Sequence, residues 1–188
     1  MPLSLSDRAV LSLSGSEVRT FLQGLVTNDV MEMAPDRPLY AALLTPQGKV
    51  LFDFILSERS GDVLIDVASA SADPLFKRLT MYRLRAKVEL KRCDDLAVLW
   101  SPEQFSGAFR DPRLPGLGWR AVAARDGSGD GTRTYINLRL SAGIPEGEDF
   151  GSDKMFALDA GIEELHGVSF DKGCYVGQEL TARMKHRG

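Results

Sequence analysis

Cysteine and histidine are scarce in this chain, with two of each in 188 residues. Cys93 and Cys174 lie far apart without a C-x-x-C pair, which excludes a disulfide ladder and a dithiol redox centre and fits free thiols in a reducing compartment. His166 and His186 show no zinc-site spacing, so metal ligation by the protein's own side chains alone is not expected. An excess of positive charge is also lacking. A formal net charge of -3 and a pI near 5.5 argue against a general nucleic-acid binder, which needs an excess of cations to meet phosphates. No apolar run approaches the length that crosses a bilayer, so no membrane partner is expected. The first residues, Met1 to Arg8, show neither a basic segment followed by an apolar one nor an arginine-rich transit pattern, and the expectation is a soluble, cytoplasmic protein.

What is present reads as short strands broken by a few helices. Ala9 to Leu13, Tyr40 to Leu44, Lys49 to Leu56, Asp62 to Val67, Leu84 to Lys91, Leu96 to Trp100, Trp119 to Ala124 and Thr134 to Leu140 read as strands. Ser14-Gly15-Ser16-Glu17 has the spacing of a capping box that starts a helix burying Val18, Phe21, Leu22 and Leu25. Pro74 to Tyr82 supplies a second helix, and Ser101-Pro102-Glu103 predicts the start of another. Thr27-Asn28-Asp29 caps a turn or faces a ligand. Thr45-Pro46-Gln47-Gly48 is a turn, and the glycine-rich run from Arg125 to Gly131 is a surface loop without the ending of a phosphate loop. In the strand after Gly48, the two-residue period turns Asp53 away from Phe52 and Phe54. The pattern as a whole indicates an α+β fold.

The densest chemistry lies between Gly167 and Arg183, where a thiol, an amine, carboxylates, an amide and a guanidinium stand beside Gly173 and Gly177. Glu179 and Arg183 form an i,i+4 pair in the favourable order, which predicts a helix beginning near Gly177. Cys174 then sits at or just before a helix N-terminus. Two readings follow: a thiolate favoured by the helix dipole with Lys172 and Arg183, or a small cysteine filling a gap at a cap. Cys93, at a strand end, reads as structural.

The run Lys172-Gly173-Cys174-Tyr175-Val176-Gly177-Gln178-Glu179 resembles the Lys-Gly-Cys-Tyr-x-Gly-Gln-Glu signature of the folate-binding iron–sulfur maturation proteins, relatives of the glycine-cleavage aminomethyltransferase. The likeness extends to Phe21 through Val30, Pro46 through Asp53, Tyr82-Arg83-Leu84-Arg85 and Gly143-Ile144-Pro145-Glu146-Gly147. Glu179-Leu180-Thr181-Ala182-Arg183 places it nearest the mitochondrial-type branch. The resemblance implies an aminomethyltransferase-like fold with interleaved parts: residues 1–47 and 133–188 form one domain, and 48–132 form a ferredoxin-like insert. Relatives continue into a C-terminal β-barrel, and that part is expected to be missing here.

The same resemblance marks Asn28, Asp53, Tyr82, Arg83 and Ser141, and then Lys172, Tyr175 and Gln178, as positions facing a cofactor. Two departures bear on tetrahydrofolate. Phe52 stands where the aminomethyltransferases carry the first carboxylate of an Asp-Asp pair, leaving Asp53 alone, and Ser141 replaces the glutamate that holds the pterin, so folate binding is expected to be weak or absent. The resemblance therefore implies an assembly factor for [4Fe-4S] client proteins. It would act with an iron–sulfur carrier, with Cys174 a ligand of a transient, shared cluster, because one thiolate cannot hold a cluster alone. The alternatives are a tetrahydrofolate-dependent one-carbon transferase using Asp53 or Cys174, and a folate-dependent tRNA modification, which the acidic balance does not favour.

Overall fold

A computed structural model describes residues 1–187. Strands β1 (Leu3–Ser4) and β2 (Arg8–Ser14) precede a short helix, α1 (Val18–Gln23). Next come β3 (Leu39–Leu44), β4 (Val50–Arg59) and β5 (Asp62–Ala68), then α2 (Ser69–Arg83) and β6 (Glu89–Arg92). β7 (Leu96–Ser101), β8 (Phe109–Arg110) and β9 (Trp119–Ala124) are followed by α3 (Thr132–Ser141), α4 (Gly147–Phe150) and α5 (Gln178–Arg187). The strands build two antiparallel sheets, one in the order β3-β4-β5-β2-β6 and one in the order β1-β7-β9-β8.

The larger sheet is covered on both faces, which explains why every residue of β3 is buried rather than every second one. On one face Leu11, Leu13, Phe54, Leu56 and Ile65 pack on Val18 and Leu22 of α1 and Leu75 and Leu79 of α2. On the other, Tyr40, Ala42, Leu44, Val50 and Ile55 receive Ile144, Phe150, Ile162, Leu165 and Tyr175. That second layer fixes the C-terminal third of the chain, with the Cys174 motif, against the β3–β4 hairpin. Truncating a fully buried member such as Leu44 to Ala costs about 2–5 kcal/mol. A third cluster joins the smaller sheet to α3 through Trp100 and Tyr135, whose rings meet edge to face at 5.6 Å.

Four expected elements take another form. The run 134–140 is the helix α3 and not a strand, because Tyr135 and Arg139, four apart, are the buried pair and both are engaged by the core. The capping box at Ser14 does not form. Glu17 is the N-cap without a side-chain cap bond, and its carboxylate accepts instead from the Lys87 backbone N–H at 2.7 Å. Ser101 starts no helix; its hydroxyl accepts from the Glu103 N–H in a local turn. The strand expected from Leu84 begins only at Glu89, because Leu84 has a φ of 45° and the chain turns through Ala86.

The division at residue 47 falls inside the β3–β4 hairpin, whose strands are neighbours in one sheet, and the division at 132 falls at the start of α3. Among the described residues the strands close no barrel, and no helix is long and apolar enough to cross a membrane.

Candidate functional site

The segment ahead of Cys174 is tied to the loop after α1 by a set of buried polar contacts. Thr27 donates from its hydroxyl to the Gly167 carbonyl at 2.5 Å and accepts from the Ala42 N–H at 2.9 Å, while the Ser169 N–H donates to the Thr27 carbonyl at 3.0 Å. Asn28 Nδ2 donates to the carbonyls of Tyr40 and His166, each at 2.8 Å, and Asn28 Oδ1 accepts from the Asp29 N–H. Lys172 is buried, and its Nζ donates to the carbonyls of Val26 at 2.6 Å and Asn28 at 2.8 Å, beneath the Tyr175 ring. Burial lowers its pKa to about 8, against a smaller opposing effect of Asp29. Asn28 and Lys172 therefore spend their polar atoms on the backbone, as braces for the motif.

Past Cys174 the chain is braced a second time. Gly177 has a φ of 83°, and a side chain there would meet the Thr45 carbonyl at 2.5 Å, so the motif crosses the Thr45–Gly48 turn at a point only glycine passes. Gly173 meets nothing within 4 Å. The helix then starts at Gln178 as its charge order predicts, with the Thr181 hydroxyl donating to Gly177 and Arg183 paired to Glu179 at 2.6 Å. Cys174 stands exposed between the two braces. The cations expected to support its thiolate are engaged elsewhere, Lys172 with carbonyls and Arg183 with Glu179.

Cys174 opens onto a groove of about 710 Å³ lined by Tyr175, Gln178, Glu179, Ala182, Arg183 and His186. The lining is mainly apolar. Gln178, Ala182 and His186 repeat every four residues and so share one stripe of α5, which puts His186 on the same groove as the thiol; the rise between Gln178 and His186 is about 12 Å. His166 points its backbone carbonyl at Asn28, and its side chain is exposed. The Tyr175 hydroxyl is buried in the groove wall without a hydrogen-bond partner, and burial pushes its pKa up to about 12. Thr181, its polar neighbour, gives its proton to Gly177.

The other marked residues lie apart from this groove. Ser141 is exposed at the C-terminal end of α3. Tyr82 packs against the core beneath α2, and the Arg83 guanidinium reaches the Val88 carbonyl at 3.5 Å. Asp53 faces opposite to Phe52 and Phe54 as its period requires, but that side is the interior. It is 6% exposed, accepts from the Tyr40 hydroxyl at 3.1 Å, and has Gly147 packed against its second oxygen. Burial and the nearby Glu146 raise its pKa, and Arg8 and Arg113 only partly offset them.

Asp53 borders an ion network that the sequence reading missed. Glu146 accepts from Arg113 at 2.6 Å and Arg8 at 3.3 Å, and Arg8 and Arg120 both hold Asp66 at 2.6 Å. Arg113 also binds Asp111 at 2.7 Å and the Tyr135 hydroxyl. Burial alone would raise Glu146; Arg113 and Arg8 outweigh it and hold the carboxyl well below its ordinary range. The network welds β2 and β5 of one sheet to β9 of the other and to α3. Its members are scattered along the chain, Asp66 and Arg120 inside predicted strands, Glu146 in the Gly143–Gly147 run, and Arg8, Asp111 and Arg113 outside any predicted element.

Of the residues marked for tetrahydrofolate, the Asp53 carboxylate is capped by Tyr40 and approached by Gly147, Ser141 is exposed, and the Asn28 amide bonds the backbone through both its nitrogen and its oxygen.

No protein-family model matches the chain. Over 98% of its length it is 34% identical to the mitochondrial iron–sulfur cluster assembly factor IBA57 homologue of Coccidioides immitis, of which it covers 53%. It is 33% and 35% identical to the mitochondrial iron–sulfur cluster assembly factors IBA57 of Mus musculus and Homo sapiens, again over 98% of the chain and 62% of each relative. The chain thus spans between half and two thirds of the length of these curated relatives. The crystal structure of the glycine cleavage system aminomethyltransferase T from Bartonella henselae covers the whole chain with a TM-score of 0.78 at 16% identity, and the chain covers 63% of it. That likeness shows the fold. The names of the relatives correct one expectation: they are mitochondrial, which overturns the cytoplasmic assignment drawn from the amino-terminal residues.

Proposed function

We propose, for a chain that belongs to the T-protein-like family of iron–sulfur cluster assembly factors, that it serves the maturation of [4Fe-4S] proteins by lending Cys174 as one ligand of a cluster shared with a carrier. The observation that carries this is the placement of Cys174: an exposed thiol held between two backbone braces at the mouth of an apolar groove. A cluster is cargo here. One thiolate is too few to keep it, so the remaining ligands come from the carrier, and the groove beside the thiol offers that protein a surface. Tyr175 and Gln178, which line that groove, are its contacts.

A covalent catalyst is disfavoured by the same geometry. It needs a base in hydrogen-bond reach of the nucleophile, and His186 stands two helical turns along α5. A folate-dependent transfer is disfavoured by the closed environment of Asp53.

The test mixes the purified chain with a cluster-loaded iron–sulfur carrier and follows absorption and iron content. The wild type is expected to yield a shared cluster, and Cys174→Ser to lose it while its circular dichroism stays the same. Undiminished cluster formation by the folded mutant overturns the proposal. Calorimetric titration with tetrahydrofolate separates the alternative, since submicromolar binding would reinstate it.

A further inference from the structure

The C-terminal end of α2 and the loop after it form a knuckle on which neither the groove nor the ion network draws. Met81 is 69% exposed and Leu84 is 87% exposed. Leu84 carries its side chain there at a φ of 45°, a conformation that L residues rarely adopt. The backbone beneath is held firmly. The Lys87 N–H donates to Glu17, the Ala86 N–H to the Arg83 carbonyl, Val88 is buried, and Gly15 packs against the Lys87 carbonyl so closely that a side chain there has no room. The exposed leucine is thus presented by a rigid turn and is not the tip of a loose loop.

Cations flank it. Arg83, Arg85 and Lys87 line the groove with Leu84, and these three, with Lys77 and Arg78 on α2, have no ion-pair partner among the described residues, in a chain whose net charge is -3. The acids nearby are Glu17, already accepting from Lys87, and Glu89, paired with Lys91 at 3.3 Å. Arg83 through Glu89, with Ser14 and Gly15, line a concave groove of about 450 Å³. The groove runs onto β6, which has a strand neighbour on one side only, so its other backbone edge is open.

We infer that this knuckle docks an acidic, extended segment of a partner protein, which pairs with the open edge of β6, sets carboxylates on Arg83, Arg85 and Lys87, and seats an apolar side chain against Leu84 and Met81. The open strand edge and the groove favour a polypeptide over the two other polyanions. Main-chain hydrogen bonds have no counterpart in a lipid surface, and no aromatic ring is exposed here to stack a base. Like charges on a bare edge also keep copies of this chain apart, and an acidic strand removes that repulsion.

The test is fluorescence anisotropy of the full chain with a labelled peptide that alternates Glu with Val and Leu, at low and at raised salt. Binding that weakens with salt is expected, falling about tenfold in Arg85→Glu/Lys87→Glu. Leu84→Gly is expected to weaken it several-fold while keeping or raising the melting temperature, since glycine takes the positive φ without strain. Cys174→Ser is expected to bind as the wild type does, so loss of cluster sharing and loss of peptide binding are separate results. The proposal is overturned if the Lys-for-Glu counterpart peptide binds as well, if neither knuckle variant changes affinity, or if Cys174→Ser abolishes binding. Preferential binding of phosphatidylglycerol vesicles or single-stranded RNA with the same residue dependence overturns it too.

Discussion

Lys172 holds Asn28 by the main chain: its ammonium donates to the Asn28 carbonyl at 2.8 Å, and to Val26 at 2.6 Å, from a position two residues ahead of the exposed thiol. The motif's amine is therefore a strut between the first helix's loop and the Cys174 segment.

Its protonation gives that strut a pH signature. Burial lowers the Lys172 pKa to about 8 from 10.5, so between those values the unfolded chain binds the proton that the folded chain has released, and this residue's contribution to stability rises with pH. Below about pH 8 the folded chain bears the cost of a buried charge. Urea melts across this window are expected to show the rise in the wild type and not in Lys172→Met. The same variant is expected to be several-fold slower in cluster transfer, since the segment before Cys174 loses its tether. Lys172→Arg is not expected to rescue it, because the planar guanidinium does not fit the site of a compact ammonium.

Glu146 has the opposite dependence. Arg113 and Arg8 hold its carboxyl far below the ordinary 4.5, so the stability it supplies is complete above that value and is lost as pH falls through its folded pKa. Glu146→Gln is expected to cost about 3–5 kcal/mol at neutral pH, because Arg113 and Arg8 are left buried with a charge uncompensated. Its acid limb is expected to be flatter than that of the wild type when unfolding is followed by circular dichroism.

The two glycines around Cys174 are expected to behave differently. Gly177→Ala places a methyl against the Thr45 carbonyl at a φ of 83°, and a loss of at least about 1–3 kcal/mol is expected together with impaired cluster sharing. Gly173→Ala enters open space and should stay within about 0.5 kcal/mol of the wild type. Equal losses at the two positions in thermal melts would contradict the close crossing at Gly177.

Asn28→Ala removes the donor that joins Tyr40 to His166 and is expected to destabilise by about 1–3 kcal/mol, with two carbonyls left without their partner. A ligand-binding asparagine would instead change affinity and leave the melt untouched. Thermal unfolding with and without tetrahydrofolate distinguishes the two.

Much of the site could be read along the chain because the signals are local. The Glu179–Arg183 spacing predicts a helix after Gly177, and α5 starts at Gln178; the alternation around Phe52 and Phe54 turns Asp53 to the opposite face, and it lies there. Period and charge order act within one or two turns, so they survive folding. Which face is wet is a different matter. The period sets Asp53 on the side away from Phe52 and Phe54, and only the return of the C-terminal segment onto β3 and β4 makes that side an interior. Thr134 to Leu140 alternates like a strand, and the contacts of Tyr135 and Arg139 with Trp100, Arg113 and Glu146 decide that it coils as α3. Arg8, Asp66, Arg120 and Glu146 are scattered through the sequence, so no window contains their pairing. The sequence by itself determined most of the strands, the helix behind the motif and the free thiol. Tertiary structure alone decided which polar groups are buried and what each one holds, because burial and pairing depend on segments more than a hundred residues apart meeting in space.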